Sequence, residues 1–139
     1  MRSTKSILLV EDDKVDAMTV KRALKDIKVV NKLVHVENGE QALEYLNSNK
    51  GNMPCIILLD LNMPIMNGRE FLAERLNYDH LVTIPVVVLT TSKDDEDKLE
   101  SFKLSISGYM AKPVDYNQFV EVMKTINLYW TLSETVSDH

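Results

Sequence analysis

Short, uniformly apolar blocks punctuate the chain: Ile7-Leu8-Leu9-Val10, Ile56-Ile57-Leu58-Leu59 and Val86-Val87-Val88-Leu89. Blocks this short, without polar alternation, read as strands covered on both faces, the mark of a parallel sheet. Longer stretches of helical period separate them. The pattern predicts strands over Ser6 to Val10, Leu33 to Val36, Cys55 to Leu59, Val86 to Leu89 and Gly108 to Ala111.

Capping residues mark where the intervening helices begin. Asp13 can cap a helix that turns Val20, Leu24 and Ile27 inward, while Asn38 with Gln41 and Asn67 with Glu70 have capping-box spacing for the next two. A fourth helix is expected from Asp94-Asp95-Glu96-Asp97, whose acids suit a helix N-terminus, with Leu99, Phe102 and Leu104 as its apolar contacts. The fifth starts at Asp115, boxed by Gln118, and aligns Phe119, Val122, Met123, Ile126 and Trp130 on one face. Five strand and helix pairs, with no repeat or linker between them, describe an α/β doubly wound three-layer sandwich.

Composition narrows the classes. At 139 residues, 45% hydrophobic, with four Gly and four Pro, the chain is expected to form one domain over 1–139 with an irregular tail from about 133. A formal charge of -5 argues against nucleic acid as the main ligand, since backbone phosphate calls for clustered Lys and Arg, and a DNA-binding output module is not expected. Cys55, the single cysteine, heads an apolar run and is expected to be buried and reduced. Only four apolar residues follow Met1-Arg2-Ser3-Thr4-Lys5, Ser6 intervening, too few for a signal peptide or a membrane span, so a cytoplasmic protein is expected.

The chemistry gathers where the strands stop. In an open parallel sheet the ligand crevice lies beyond the carboxyl ends of the strands. Standing there are Glu11, Asp12 and Asp13 after the first strand, Asp60 after the third, Thr90-Thr91-Ser92 after the fourth and Lys112-Pro113 after the fifth. Neighbouring strands lie about 4.8 Å apart, so carboxylates on adjacent ends repel unless a cation or proton intervenes. Oxygen ligands without His or Cys favour a hard ion such as magnesium, which keeps several waters and can receive a phosphoryl oxygen. Lys112 adds positive charge and Thr90 a hydroxyl. Any one of these residues is ordinary at a strand end; all four, each directly after an apolar strand, are not.

These residues carry a resemblance. Leu8-Leu9-Val10-Glu11-Asp12-Asp13, Asp60-Leu61-Asn62-Met63-Pro64-Ile65-Met66-Asn67-Gly68, Leu89-Thr90 and Tyr109-Met110-Ala111-Lys112-Pro113 resemble the receiver domain of two-component response regulators, the CheY-like family. The resemblance implies a flavodoxin-like (βα)5 fold with a parallel five-stranded sheet in order 2-1-3-4-5. It implies that Asp60 accepts a phosphoryl group from a sensor histidine kinase or a histidine phosphotransfer protein. Magnesium, with manganese as a substitute, would be held by Asp12, Asp60 and the backbone carbonyl of Asn62, and by Glu11 through water. Asp13 falls outside the family's acidic pair and is left to cap the first helix. Lys112 would pair with the phosphoryl group. Thr90 would move toward it and Tyr109 follow, reshaping the face made by the fourth predicted helix, the fifth strand and the last helix. Pro64, Gly68 and Pro113 would shape loops.

Val86 to Ser92, Lys112-Pro113-Val114-Asp115, Phe119 and Tyr129-Trp130 are most similar to stand-alone receivers paired with phytochrome-type sensor kinases. Several members of that subgroup associate through the last helix, which makes Tyr129, Trp130 and Leu132 candidate contacts for a homodimer or a kinase. The implied activity is a phosphorylation switch rather than a turnover enzyme, without nucleic-acid or membrane partners. Two other readings stand beside it. A haloacid-dehalogenase-like phosphatase needs a second acid two residues after its nucleophile, where this chain has Asn62; a docking module that is never phosphorylated would be expected to lose part of the set Asp12, Asp60, Thr90 and Lys112. His35 and His80 lack acidic or cysteine neighbours at ligand spacing and are expected to be structural.

Overall fold

In the computed structural model, the described residues are 5–26, 29, 31–90, 105–112 and 115–125. In chain order the elements are β1 (Ile7–Val10), α1 (Lys14–Asp26), β2 (Leu33–Val36), α2 (Gly39–Ser48), β3 (Ile56–Asp60), α3 (Gly68–Arg75), α4 (Asp79–Val82), β4 (Val86–Thr90), β5 (Gly108–Ala111) and α5 (Tyr116–Thr125). All pairings are parallel and the strand order is β2-β1-β3-β4-β5, as expected of a flavodoxin-like sheet. The order reverses at β1 and β3, so the crevice opens between their carboxyl ends.

The apolar blocks form strands because both sheet faces are covered. Ile7, Leu9, Ile56, Leu58, Val87 and Leu89 point to a layer holding Ala17, Val20 and Leu24 of α1 and Phe119 of α5. Leu8, Val10, Ile57, Leu59, Val86 and Val88 point to the other, against Ala42 and Leu46 of α2 and Phe71 and Leu72 of α3. The central strands β1, β3 and β4 are therefore the inner spine of the molecule. Cys55 is buried at the entrance of β3, and burial pushes its thiol up to about 11, which suits an inert packing residue.

The caps hold with two changes. Asp13 Oδ1 accepts the amides of Val15 and Asp16, and Asn67 with Glu70 forms a full capping box. Asn38 caps α2, but Gln41 returns its side chain to the amide of Glu37 rather than to Asn38. Asp115 accepts the amide of Gln118, while the Gln118 side chain crosses to both backbone groups of Ala111 and ties α5 to the end of β5. The single turn α4 was not expected, being too short for a periodic signal; it places His80 on Asn47 Oδ1 at 2.9 Å. The helix expected over Asp94 to Leu104, along with Ile27, Thr91, Ser92, Pro113, Ile126, Tyr129, Trp130, Leu132 and the tail from 133, lies outside the described residues. Among the described residues no helix is long and apolar enough to cross a membrane.

Candidate functional site

β3 runs one residue beyond its apolar block, so Asp60 is itself the last strand residue, paired with Leu89 and 4% exposed. β1 likewise continues through the hydrogen bond from the Glu11 amide to the Val36 carbonyl, and this draws the Glu11 side chain fully under cover. Asp12 stands partly exposed beside it. Carboxylate oxygens of Glu11, Asp12 and Asp60 all lie within 4.8 Å of one another. Asp13 belongs to the helix start, as expected: Oδ1 is used at 2.8 and 3.0 Å by the first-turn amides, and its own amide donates to Glu11 Oε2 at 3.2 Å.

Lys112, the residue after β5, reaches across to this cluster. Its Nζ lies 2.6 Å from Glu11 Oε1, 2.9 Å from Asp16 Oδ2 and 3.0 Å from Asp60 Oδ1. A partly covered ammonium facing three carboxylates is charge-balanced far better than the carboxylates alone would be. Burial by itself would lower the lysine pKa, but the contacts from Glu11, Asp16 and Asp60 outweigh it and hold the ammonium above the ordinary lysine range. Glu11 moves the opposite way from an ordinary acid. Burial raises it to about 7, with the Asp60 charge adding to the rise and the Lys112 ammonium opposing it. The 2.6 Å contact is an ion pair without hydrogen-bond alignment, since Glu11 Oε1 has no hydrogen-bond partner.

Glu11, Asp12, Asp13, Asp16, Asp60, Asn62 and Lys112 line one cavity of about 260 Å³. A divalent cation fits this donor set: all ligand atoms are oxygens, the buried Glu11 Oε1 accepts no hydrogen bond, and the sole described counter-cation is an ammonium that three acids share. Glu11, Asp12, Asp60 and Asn62 are the residues that would hold it.

The loop after β3 is fixed by close approach. A Cβ on Gly68 would stand 2.6 Å from the Asp60 carbonyl oxygen and 2.8 Å from Leu61 Cα, so only glycine lets α3 start against the end of β3. The φ of Gly68 is ordinary; the positive φ in this loop, 67°, falls on Ile65, a β-branched residue for which that region is strained. Gly39 packs on the same loop, donating its amide to the Met66 carbonyl at 2.8 Å, with a Cβ there 2.7 Å from Met66 Cγ.

Glu11, Asp12, Asp60, Asn62 and Lys112 are therefore brought together as expected. Thr90 ends β4 opposite Ala111, beside the cluster by register, though its side chain lies outside what the structure describes. Tyr109, on β5, is half-buried against the layer containing Val86 and Val88. Pro64 is exposed in the loop below Asp60. His35 uses Nε2 against the Glu11 carbonyl at 2.7 Å and steadies the backbone of the acidic turn. Asp16 was missed. Its signal was its spacing, three residues past the Asp13 cap, which places it in the first turn of α1 above the strand ends.

A family model for the response regulator receiver domain matches residues 7–124. The chain is 36% identical over 137 residues to "Response regulator Rcp1" of Synechocystis, covering 96% of this chain and 92% of that protein. A manganese-bound structure of Rcp1 superposes with a TM-score of 0.71, 36% identity and coverage of 94% and 99%. The bacteriophytochrome response regulator RtBRR superposes with a TM-score of 0.85 at 38% identity, covering 97% of this chain and 84% of that one. A phosphorylated cyanobacterial phytochrome response regulator, RcpA, gives 0.71 at 37% identity over 94% and 99%.

Proposed function

The chain belongs to the response regulator receiver domain family, and on that premise we propose that it is a single receiver whose Asp60 takes a phosphoryl group from a histidine kinase or phosphotransfer partner. The observation that carries the reading is Lys112 bridging Glu11 and Asp60 inside an all-oxygen pocket. Its homologues include phytochrome response regulators, and we extend to this chain the phytochrome-type kinase as phosphodonor and the cytoplasm as the place of reaction.

Magnesium, when bound, neutralises the acids and offers a phosphoryl oxygen a coordination position. The protein does the rest by positioning. Asp60 Oδ attacks phosphorus in line with the leaving imidazole nitrogen of the partner; the P–N bond breaks as the O–P bond forms, and the nitrogen keeps the electron pair. Glu11 and Asp12 would hold the cation beside the attacking Asp60 carboxylate. Lys112 leaves its shared position and pairs with the phosphoryl oxygens, as the Thr90 hydroxyl does from the adjacent strand end. Tyr109, next in the direction of β5, relays the change to the surface beside α5. The Tyr129, Trp130 and Leu132 stretch is proposed as the contact for a second copy or the kinase.

Asn62 stands where a haloacid-dehalogenase-like phosphatase needs its acid, which argues for a trapped phosphoryl group rather than rapid turnover. Incubation with acetyl phosphate and magnesium should add one acid-labile phosphoryl group to the wild-type chain by intact mass. An Asp60→Asn variant that gained the same mass would overturn the reading.

A further inference from the structure

At the amino edge of the sheet, remote from the acidic pocket, lies a second cavity. The inward face of α3 carries Phe71, Leu72 and, at the next inward position, Arg75, only 2% exposed. Helical period calls for an apolar side chain there. Arg75 Nη2 donates to the Ser105 carbonyl at 2.6 Å, whereas Nε and Nη1 have no hydrogen-bond partner and no described carboxylate pairs with the guanidinium. Burial pulls its pKa below the usual value without a compensating charge. A buried, unpaired cation is among the costliest arrangements a core can hold.

Arg75 lines a cavity of about 290 Å³. Thr83, Ser105 and Ser107 supply polar groups to its wall, and Ile84 and Ile106 an apolar side. We propose that this cavity binds a small carboxylate with a short apolar body, its charge on the Arg75 guanidinium. One negative charge matches a guanidinium that has no carboxylate partner among the described residues, and planar carboxylate is the group to which guanidinium binds best. The apolar wall favours an aliphatic body over a bare inorganic anion. Nε and Nη1 are buried without a partner on a residue that lines the cavity, so a turn of the side chain would bring them to the ligand. The segments that line the cavity lead into β4 and β5, whose far ends carry Thr90 and Lys112.

The test is amide NMR of the full chain titrated with sodium butyrate, against sodium phosphate and sodium chloride at equal ionic strength. Butyrate is expected to shift the amides of Ile84, Ser105, Ile106 and Ser107 saturably, with phosphate at least tenfold weaker. Arg75→Met is expected to melt no lower than wild type, since it removes an unpaired buried charge, and to lose the shifts; Arg75→Gln serves as a second variant should Arg75→Met fail to fold. Linear shifts without saturation, equal response to phosphate, or the same saturable shifts in the folded variants would overturn the proposal.

Discussion

Lys112 Nζ lies 2.9 Å from Asp16 Oδ2, joining two residues 96 positions apart at the mouth of the acidic pocket. Asp16 is the one partner of Lys112 that belongs neither to a strand end nor to the set that would hold a cation. It therefore draws the ammonium away from Glu11 and Asp60, the oxygens a cation needs. Replacing Asp16 with Asn leaves Lys112 wholly on those two. Magnesium affinity by calorimetry should fall roughly two- to fivefold, the scale of one partly exposed charge pair. Lys112→Ala should act in the opposite sense and tighten magnesium, because a competing cation is gone. Equal affinities in all three proteins would contradict the sharing of Lys112.

Glu11 sets the pH response. Its folded pKa is raised from an ordinary 4.5 to about 7, so the folded state binds the proton more tightly than the unfolded chain does. The stabilisation is fully present below the unfolded value and is lost as pH rises through about 7. Urea unfolding without added metal should show stability falling between pH 5 and pH 8, by on the order of 1 to 3 kcal/mol for a buried coupled group. Glu11→Gln should flatten that slope. Magnesium binding should release a proton below pH 7 and strengthen with rising pH until Glu11 is ionised. A wild-type stability curve flat across this window would contradict the assignment.

Gly68 is held by contact rather than by dihedral angle. Gly68→Ala places a methyl group against the Asp60 carbonyl and Leu61 Cα, both backbone atoms at the centre of the molecule. The variant should lose about 2 to 3 kcal/mol in chemical denaturation, the upper range for an overpacked site. It should also slow phosphorylation, because the strand end carrying Asp60 must shift. Stability within about 0.5 kcal/mol of wild type would show that the loop yields freely.

Much of this was legible because the chemistry follows the strands directly. Ile7 to Val10 and Ile56 to Leu59 have no polar alternation, so a parallel sheet was the natural solution, and Glu11, Asp12 and Asp60 had to emerge at one edge. What was hidden depends on helix phase and on packing between segments. Asp16 meets Lys112 only once α1 is docked across the strand ends, and no spacing between distant residues announces that. Arg75 breaks the apolar period of α3, so a reading by period skips it. The turn α4 is too short to carry a pattern. Gly68 opens α3 against the end of β3, and its closeness to Asp60 is a tertiary property that no local pattern shows.

The central claim is that Asp60, rather than one of the three acids following β1, forms the acyl phosphate. Borohydride reduction of the phosphorylated chain cleaves that anhydride and converts the acceptor aspartate to homoserine, which peptide mass spectrometry locates. The account predicts homoserine at position 60, formed only when magnesium and phosphodonor were both present. Homoserine at position 12 or 13 with position 60 unchanged would contradict it.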